Sequence, residues 1–361
     1  MCCLGVFTTE LHVMLSSIII LVYGVGLGGG HVCQHEVGND AHEVENINHT
    51  TESIDDFLED EDDSEEDSED AFSDIEDEDM ICSGYNAVPR HKKLPEAVVI
   101  GVRKGGTRAL LEFINMNSRI RRAKSETHFY DNNYEKGRSW YLDQMPAVLP
   151  SQICMEKTPG YFHTAGVPKK LYEMNNQTKL VLIVRNPVDR LISDYNQFRS
   201  RHLERGNDYP PLEHFLFTPA GNINIGYQPL QRSIYHYHLV RWMRYFPHNQ
   251  IHIVDGDKFI KQPWEGLKKL EDFLEIPNEI TENNFFFNAT KGFYCGQEVI
   301  KLPQSEWTCT RKKCLNKSKG RPKAKVEEST YKQLTKFYAP HNEIFYGLVK
   351  RYDFNWPKDW P

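Results

Sequence analysis

The sequence predicts an α/β fold: a single domain with a central parallel β-sheet flanked by helices. Three observations carry that expectation. Short, uninterrupted apolar runs recur at Ala97–Val102 (AVVIGV), Lys179–Val184 (KLVLIV) and Ile251–Val254 (IHIV). Runs without alternation are strands covered on both faces. Each is followed by helical spacing, at Arg108–Asn115, Val188–Phe198 and Trp264–Leu274. Each breaks at turn chemistry, namely Lys104-Gly105-Gly106-Thr107, Arg185-Asn186-Pro187 and Asp255-Gly256-Asp257. Strands that alternate with helices place such turns at the carboxyl ends of a parallel sheet, where ligands bind. Neither an internal repeat nor an internal boundary interrupts residues 91–361, so they read as one domain.

The residues before that domain are of another kind. The chain has 361 residues, 43 basic and 51 acidic, for a net charge of -8. The first basic residue is Arg90, and 23 of the acidic residues precede it, so the remainder carries +15. Asymmetry of this kind excludes a mildly acidic globule and points to a polyanionic partner or a membrane surface. Leu11–Gly29 is apolar, uncharged and just long enough to cross a bilayer. It reads as an uncleaved signal anchor or as a cleaved signal peptide. The lack of a basic leading region and of an A-x-A site favours the anchor. Residues 31–90 read as a stem. Between Glu52 and Asp79 it holds 18 acidic residues and no basic one, too much charge to bury a core. Such a stem serves as a spacer, or as an arm that folds onto the basic body. The chain thus divides into 1–30, 31–90 and 91–361.

The eight cysteines contain no C-x-x-C pair and no His/Cys ligand spacing, so no metal site is expected. Cys154 lies in an apolar segment and reads as a buried thiol. Cys295, Cys309 and Cys314 flank a polar loop that a disulfide would tie down in an oxidising compartment. Sequons occur at Asn48, Asn176, Asn288 and Asn316, and with the apolar N-terminal run they indicate the secretory pathway.

Four segments carry chemistry. In the first, Arg103-Lys104-Gly105-Gly106-Thr107-Arg108, a strand passes through glycines into a helix. The glycines let the backbone approach an anion, and the first-turn N–H groups bind it. It is not a Walker A loop, because Lys104 precedes the glycines. The alternative is a basic surface turn. In the second, Ser125–Asp131 (SETHFYD), Glu126 and His128 are two apart and would share a side if extended. A carboxylate so placed can act as a general base; ordinary loop charge is the alternative. In the third, Arg185 ends a strand and Ser193 follows two helical turns later, a pair able to hold a second phosphate or merely to cap a helix. The fourth is the basic run Lys312–Arg321, either a solvated face or a clamp for an extended anion.

Together these segments resemble the heparan sulfate glucosaminyl 3-O-sulfotransferases. The resemblance runs from Leu94 to Trp356 through LPEAVVIGVRKGGTRALLEF, SETHFYD, WYLDQMP, EKTPGYF, RNPVDRLISDY, IHIVDGD, NFFFNATKGFYC and CLNKSKGR. It implies a P-loop-kinase-like sulfotransferase fold that uses 3′-phosphoadenosine 5′-phosphosulfate as donor, with no metal. It implies that Lys104, Gly105, Gly106, Thr107 and Arg108 hold the 5′-phosphosulfate, and that Arg185 and Ser193 hold the 3′-phosphate. Lys319, Gly320 and Arg321 would close over donor and glycan. Glu126 would be the catalytic base on the glucosamine 3-hydroxyl, with Lys104, His128 and Asp131 supporting the chemistry. Arg103, Lys157 and Gln197, again with Lys319 and Arg321, would contact heparan sulfate. The resemblance also implies a Cys295–Cys314 disulfide and a lumenal catalytic domain on a single-pass type II Golgi membrane protein. No nucleic acid partner is implied. The chain departs from the family in the longer stretch between Cys295 and Cys314, the extra Cys309, Lys124 before the proposed base, the sequon at Asn316 and the acidic stem. Two other functions stay in competition: a sulfotransferase with a different acceptor position, and a heparan-binding protein without catalysis.

Overall fold

A computed structural model describes residues 89–301, 308–315 and 326–357. The N-terminal apolar run, the acidic stem, Asn48, Asn316, and Lys319, Gly320 and Arg321 lie outside the described residues. The main sheet comprises β1 (Ala97–Gly101), β2 (Ile120–Arg122), β3 (Ile153–Lys157), β4 (Lys179–Val184) and β5 (Ile251–Asp255). Its order is β2-β3-β1-β4-β5, and every pairing is parallel. The three strands with apolar runs are β1, β4 and β5. The other two give no such run. β2 is the three residues IRR, and β3 (ICMEK) ends in two charged residues that prove to belong to the site.

Successive residues of β1 face opposite sides, as the two-residue period of a strand demands. Val98 and Ile100 pack with Leu182, Phe162, Trp242 and Phe345. Ala97 and Val99 pack with Val181, Ile183, Leu110, Ile114 and Leu270. The first face is covered by α5 (Tyr235–Met243) and α7 (Glu328–Val349), the second by α1 (Thr107–Ile114) and α6 (Pro263–Leu274). The remaining longer helices are α2 (Gly137–Asp143), α3 (Val167–Met174) and α4 (Pro187–Glu204). Helix α4 opens with Pro187 at its first turn and with the Asn186 side chain accepting from the Val188 N–H at 2.9 Å. It runs six residues beyond the expected Phe198, because the extension RSRHLE is polar and adds no apolar periodicity.

The polar loop expected between Cys295 and Cys314 is instead the greater part of a second, antiparallel sheet. Strands β6 (Phe285–Asn288), β7 (Phe293–Lys301) and β8 (Thr308–Lys313) lie in the order β8-β7-β6. Polar strands pair here because the register is closed covalently near the base: Cys295 and Cys314 form a disulfide across 19 residues. Lys312 and Lys313 are therefore strand residues rather than loop. Cys154 is a buried free thiol, as its apolar setting indicated.

Candidate active site

Because the five strands are parallel, all their carboxyl ends fall on one edge. The chain leaves β1 towards β2 on one side and later crosses from β3 to β4 on the other. The end of β1 thus lies where the strand order reverses, the position at which open α/β sheets bind ligands. Three of the four charged segments singled out in the sequence follow these ends, whereas the fourth, Lys312–Arg321, begins in the antiparallel sheet.

The turn after β1 is drawn tightly against β4. The Val102 N–H donates to the Ile183 carbonyl at 2.9 Å, and the Gly105 N–H to the Val102 carbonyl at 2.8 Å. A Cβ on Gly105 would sit 2.6 Å from the Ile183 oxygen, so only glycine fits. Gly106 has φ 107°, the left-handed region that favours glycine. Helix α1 starts at Thr107, and its first-turn N–H groups, including that of Arg108, have no acceptor inside the helix. The result is a concave backbone surface with positive character, an anion cradle. Lys104 stands at its rim with φ 65°, and its ammonium donates to Gln197 Oε1 at 2.7 Å. Arg103 Nε donates to Asp194 Oδ1 at 2.9 Å, with its guanidinium over the Phe198 ring.

After β4 comes Arg185, whose Nε lies 3.8 Å from Asp257 Oδ1. Asp257 is itself held by the Asn186 N–H at 2.7 Å and by Trp356 Nε1 at 3.0 Å. Ser193 is half-buried on α4, one turn before Gln197 and on the same face. Arg185 and Ser193 thus flank the start of one helix.

The second cluster follows β2 and β3. Glu126 Oε1 is paired with the Lys157 ammonium, and Glu126 Oε2 lies 3.4 Å from His128 Nε2. His128 Nδ1 is 3.0 Å from Asp131 Oδ2. His128 takes a left-handed φ of 45°, so the segment is not simply extended, yet the two side chains meet. Burial pushes the Glu126 carboxyl up, but Lys157 and His128 outweigh it and bring its pKa down to about 2. Burial likewise pushes His128 down, while the bonds to Asp131 and Glu126 outweigh it and raise its pKa to about 10. At neutral pH the cluster is an ionised carboxylate between two cations.

Beneath it lies Glu156, fully buried and not singled out from the sequence. Its carboxylate accepts from Tyr141 Oη at 2.8 Å, Thr127 Oγ1 at 3.0 Å and Thr158 Oγ1 at 3.1 Å. It therefore pins Thr127, which separates Glu126 from His128. A second missed residue is Asp194, also fully buried, which accepts from Arg190 Nη1 at 2.8 Å and Arg103 Nε at 2.9 Å, with Arg232 Nη1 at 3.7 Å. Burial opposes its ionisation, but the three guanidinium groups hold it well below the usual carboxylate range. The i,i+4 spacing of Arg190 and Asp194, either side of the apolar pair Leu191 and Ile192, was the available signal.

Of the described sequons, Asn176 is exposed, whereas Asn288 is half-buried, with its Oδ1 accepting from the Lys291 N–H at 3.1 Å. Among the described residues no group of three or more His, Cys, Asp or Glu could hold a metal ion. Among them, too, no helix is long and apolar enough to cross a membrane.

Residues 94–345 match the model of the sulfotransferase domain family. The chain is 44% identical over 269 residues to mouse heparan sulfate glucosamine 3-O-sulfotransferase 5, covering 74% of this chain and 75% of that protein. It is 39% identical over 269 residues to human heparan sulfate glucosamine 3-O-sulfotransferase 6, with the same coverage of 74% and 75%. Among solved structures, a sulfotransferase from Alicyclobacillus acidocaldarius superposes with a TM-score of 0.53 at 15% identity, over 72% of this chain and 97% of that one. That likeness concerns the fold.

Proposed function

Because the chain belongs to the heparan sulfate glucosamine 3-O-sulfotransferase family, we propose that it transfers a sulfuryl group from 3′-phosphoadenosine 5′-phosphosulfate to the 3-hydroxyl of glucosamine residues in heparan sulfate. The observation that carries this reading is the pairing of an anion cradle with an ionised carboxylate on neighbouring strand ends. The cradle follows β1, and Lys157 closes β3 in register with Val99 of β1.

The cradle fits the donor. Gly105 leaves no room for a side chain, α1 offers its first-turn N–H groups, and Lys104 brings a cation to the rim. Lys104, Gly105, Gly106, Thr107 and Arg108 hold the 5′-phosphosulfate, and Arg185 with Ser193 the 3′-phosphate. Lys319, Gly320 and Arg321 are assigned to donor and glycan by the family resemblance alone. When bound, the donor supplies an activated sulfuryl group whose bond to the 5′-phosphate breaks in line with attack.

A sugar hydroxyl is a weak nucleophile and needs its proton removed as the new oxygen–sulfur bond forms. Glu126 accepts that proton. At a pKa of about 2 the carboxylate is fully ionised but weakly basic. Lys157 accounts for both halves of that behaviour. Its ammonium depresses Glu126, and the same ammonium is available to an anionic group on the saccharide. Drawing Lys157 towards the acceptor lets the Glu126 pKa rise, so the base strengthens as its substrate arrives. His128, fixed by Asp131, keeps the second carboxylate oxygen oriented. Arg103 and Gln197 contribute to the acceptor side. Positioning and charge stabilisation carry the rest of the rate.

The catalytic body faces the Golgi lumen, on a membrane protein anchored through Leu11–Gly29. The disulfide and the exposed Asn176 sequon support an oxidising secretory compartment. The test is incubation with radiolabelled donor and heparan sulfate, followed by disaccharide mapping. Label on the glucosamine 3-oxygen is the expected result. Label on another position, or none, overturns the reading.

A further inference from the structure

We propose that Trp356, in the tail that follows α7, is a positioning residue for the donor 3′-phosphate: through Asp257 it aims the Arg185 guanidinium. The inference rests on the assignment of Arg185 to that phosphate given above, and it extends the donor site to a segment at the far end of the chain.

Two strand ends meet at this point. Arg185 follows β4 and Asp257 follows β5, and the strands pair in parallel with Val184 opposite Asp255. Asp257 Oδ2 accepts two hydrogen bonds, from the Asn186 N–H at 2.7 Å and from Trp356 Nε1 at 3.0 Å. Both donors sit on one oxygen, so the other, Oδ1, is left facing Arg185, whose Nε lies 3.8 Å away. A carboxylate at that distance attracts a guanidinium but is too far for a hydrogen bond. Arg185 Nε is buried and makes no hydrogen bond. A buried donor left without a partner is costly and marks a group held for a ligand. Asp257 therefore orients Arg185 without closing on it.

The tail that brings Trp356 here is itself fixed. Lys350 ends α7 with a left-handed φ of 53°. Arg351 Nη1 then donates to the Ile253 carbonyl of β5 at 2.8 Å, and the Lys258 ammonium to Asp353 Oδ2 at 2.7 Å. Phe354 stacks on Tyr346 and Trp356 on Phe345, with ring planes 8° and 19° apart. A phenyl ring would serve that stack; only the N–H calls for an indole, and a buried indole N–H needs an acceptor. Tyr235, whose ring lies 5.8 Å from that of Trp356, donates its hydroxyl to the Arg185 carbonyl at 2.9 Å. One aromatic cluster thus holds Arg185 twice, at its backbone through Tyr235 and at its side chain through Trp356 and Asp257. Without the indole N–H, Oδ2 keeps a single donor. The carboxylate can then rotate onto Arg185 and form the ion pair that competes with a phosphate.

The test is calorimetric titration of the full-length protein with 3′-phosphoadenosine 5′-phosphate and, separately, with adenosine 5′-monophosphate, with no saccharide present. The ratio of the two affinities reads the 3′-phosphate alone. Trp356→Phe should weaken the bisphosphate about fivefold, the worth of one hydrogen bond, and leave the monophosphate unchanged. Asp257→Asn keeps the shape, opens no cavity in the core and should lower the ratio in the same direction. In an Arg185→Ala background neither substitution should change the ratio further, because the coupling runs through Arg185. Retained monophosphate binding shows that each variant is folded. Equal weakening of both nucleotides by Trp356→Phe, the result a merely structural role would give, overturns the proposal. A higher ratio in Asp257→Asn also overturns it, since the carboxylate would then compete with the phosphate rather than aim its partner. A wild-type protein that does not prefer the bisphosphate would instead overturn the assignment of Arg185 on which the proposal stands.

Discussion

Glu126 owes its ionised state to two side chains, Lys157 and His128, and its substitution separates chemistry from binding. Glu126→Gln keeps the shape and removes the proposed proton acceptor. It should lower kcat by roughly 10²–10⁴, with nucleotide titration showing binding retained; near-normal turnover would remove Glu126 from the role of base. The same cluster sets a pH dependence. His128 is raised to about 10, so its contribution to stability is complete below its ordinary value of 6.5 and fades as pH climbs towards 10. Glu126, lowered to about 2, contributes above its ordinary 4.5 and loses that contribution only towards pH 2. The melting temperature should therefore decline between pH 6.5 and 10 as His128 loses its proton, and His128→Gln should flatten the decline. The chemistry of the cluster was legible in SETHFYD, but its support was not. Glu156 acts through buried contacts to Tyr141 and Thr127, distant in sequence, which nothing local announces, and Asp194 was signalled only by its spacing from Arg190, not by its contact to Arg103.

The glycine turn is the element on which the proposed donor site depends. Gly105→Ala would force a Cβ to within 2.6 Å of a β4 carbonyl. Overpacking of this kind costs about 1–3 kcal/mol. A lower melting temperature and loss of nucleotide binding should appear together, and an unaltered titration would show that the turn has slack. The antiparallel sheet carries a second expectation at this scale. Its disulfide spans 19 residues, so Cys314→Ser should destabilise the protein by up to about 3 kcal/mol, measured by denaturant unfolding with and without reductant. Strands buried on both faces were visible as apolar runs, and so were the helices that follow them. β2, β3 and the antiparallel arm were not, because sheet neighbours and a covalent bridge decide them rather than their own periodicity. β3 in particular gives up two of its five residues, Glu156 and Lys157, to the site.

At the scale of the molecule, charge is the dominant variable. The body after residue 89 carries +15 and is built to hold a nucleotide and a polysulfated chain. Acceptor KM should rise steeply with added salt, as ion release at polyanion surfaces requires. A KM that is flat from low to physiological salt would contradict this. The sheet order has a further consequence, for biosynthesis. β1 occupies the centre of the sheet, yet both neighbours are made after it, β3 at Ile153–Lys157 and β4 at Lys179–Val184. Ribosomes add about 5–20 residues each second, so an apolar strand waits for several seconds before its flanks exist. During that interval the nascent chain offers two open hydrogen-bonding edges, and a holding chaperone that masks them should raise the yield of native enzyme.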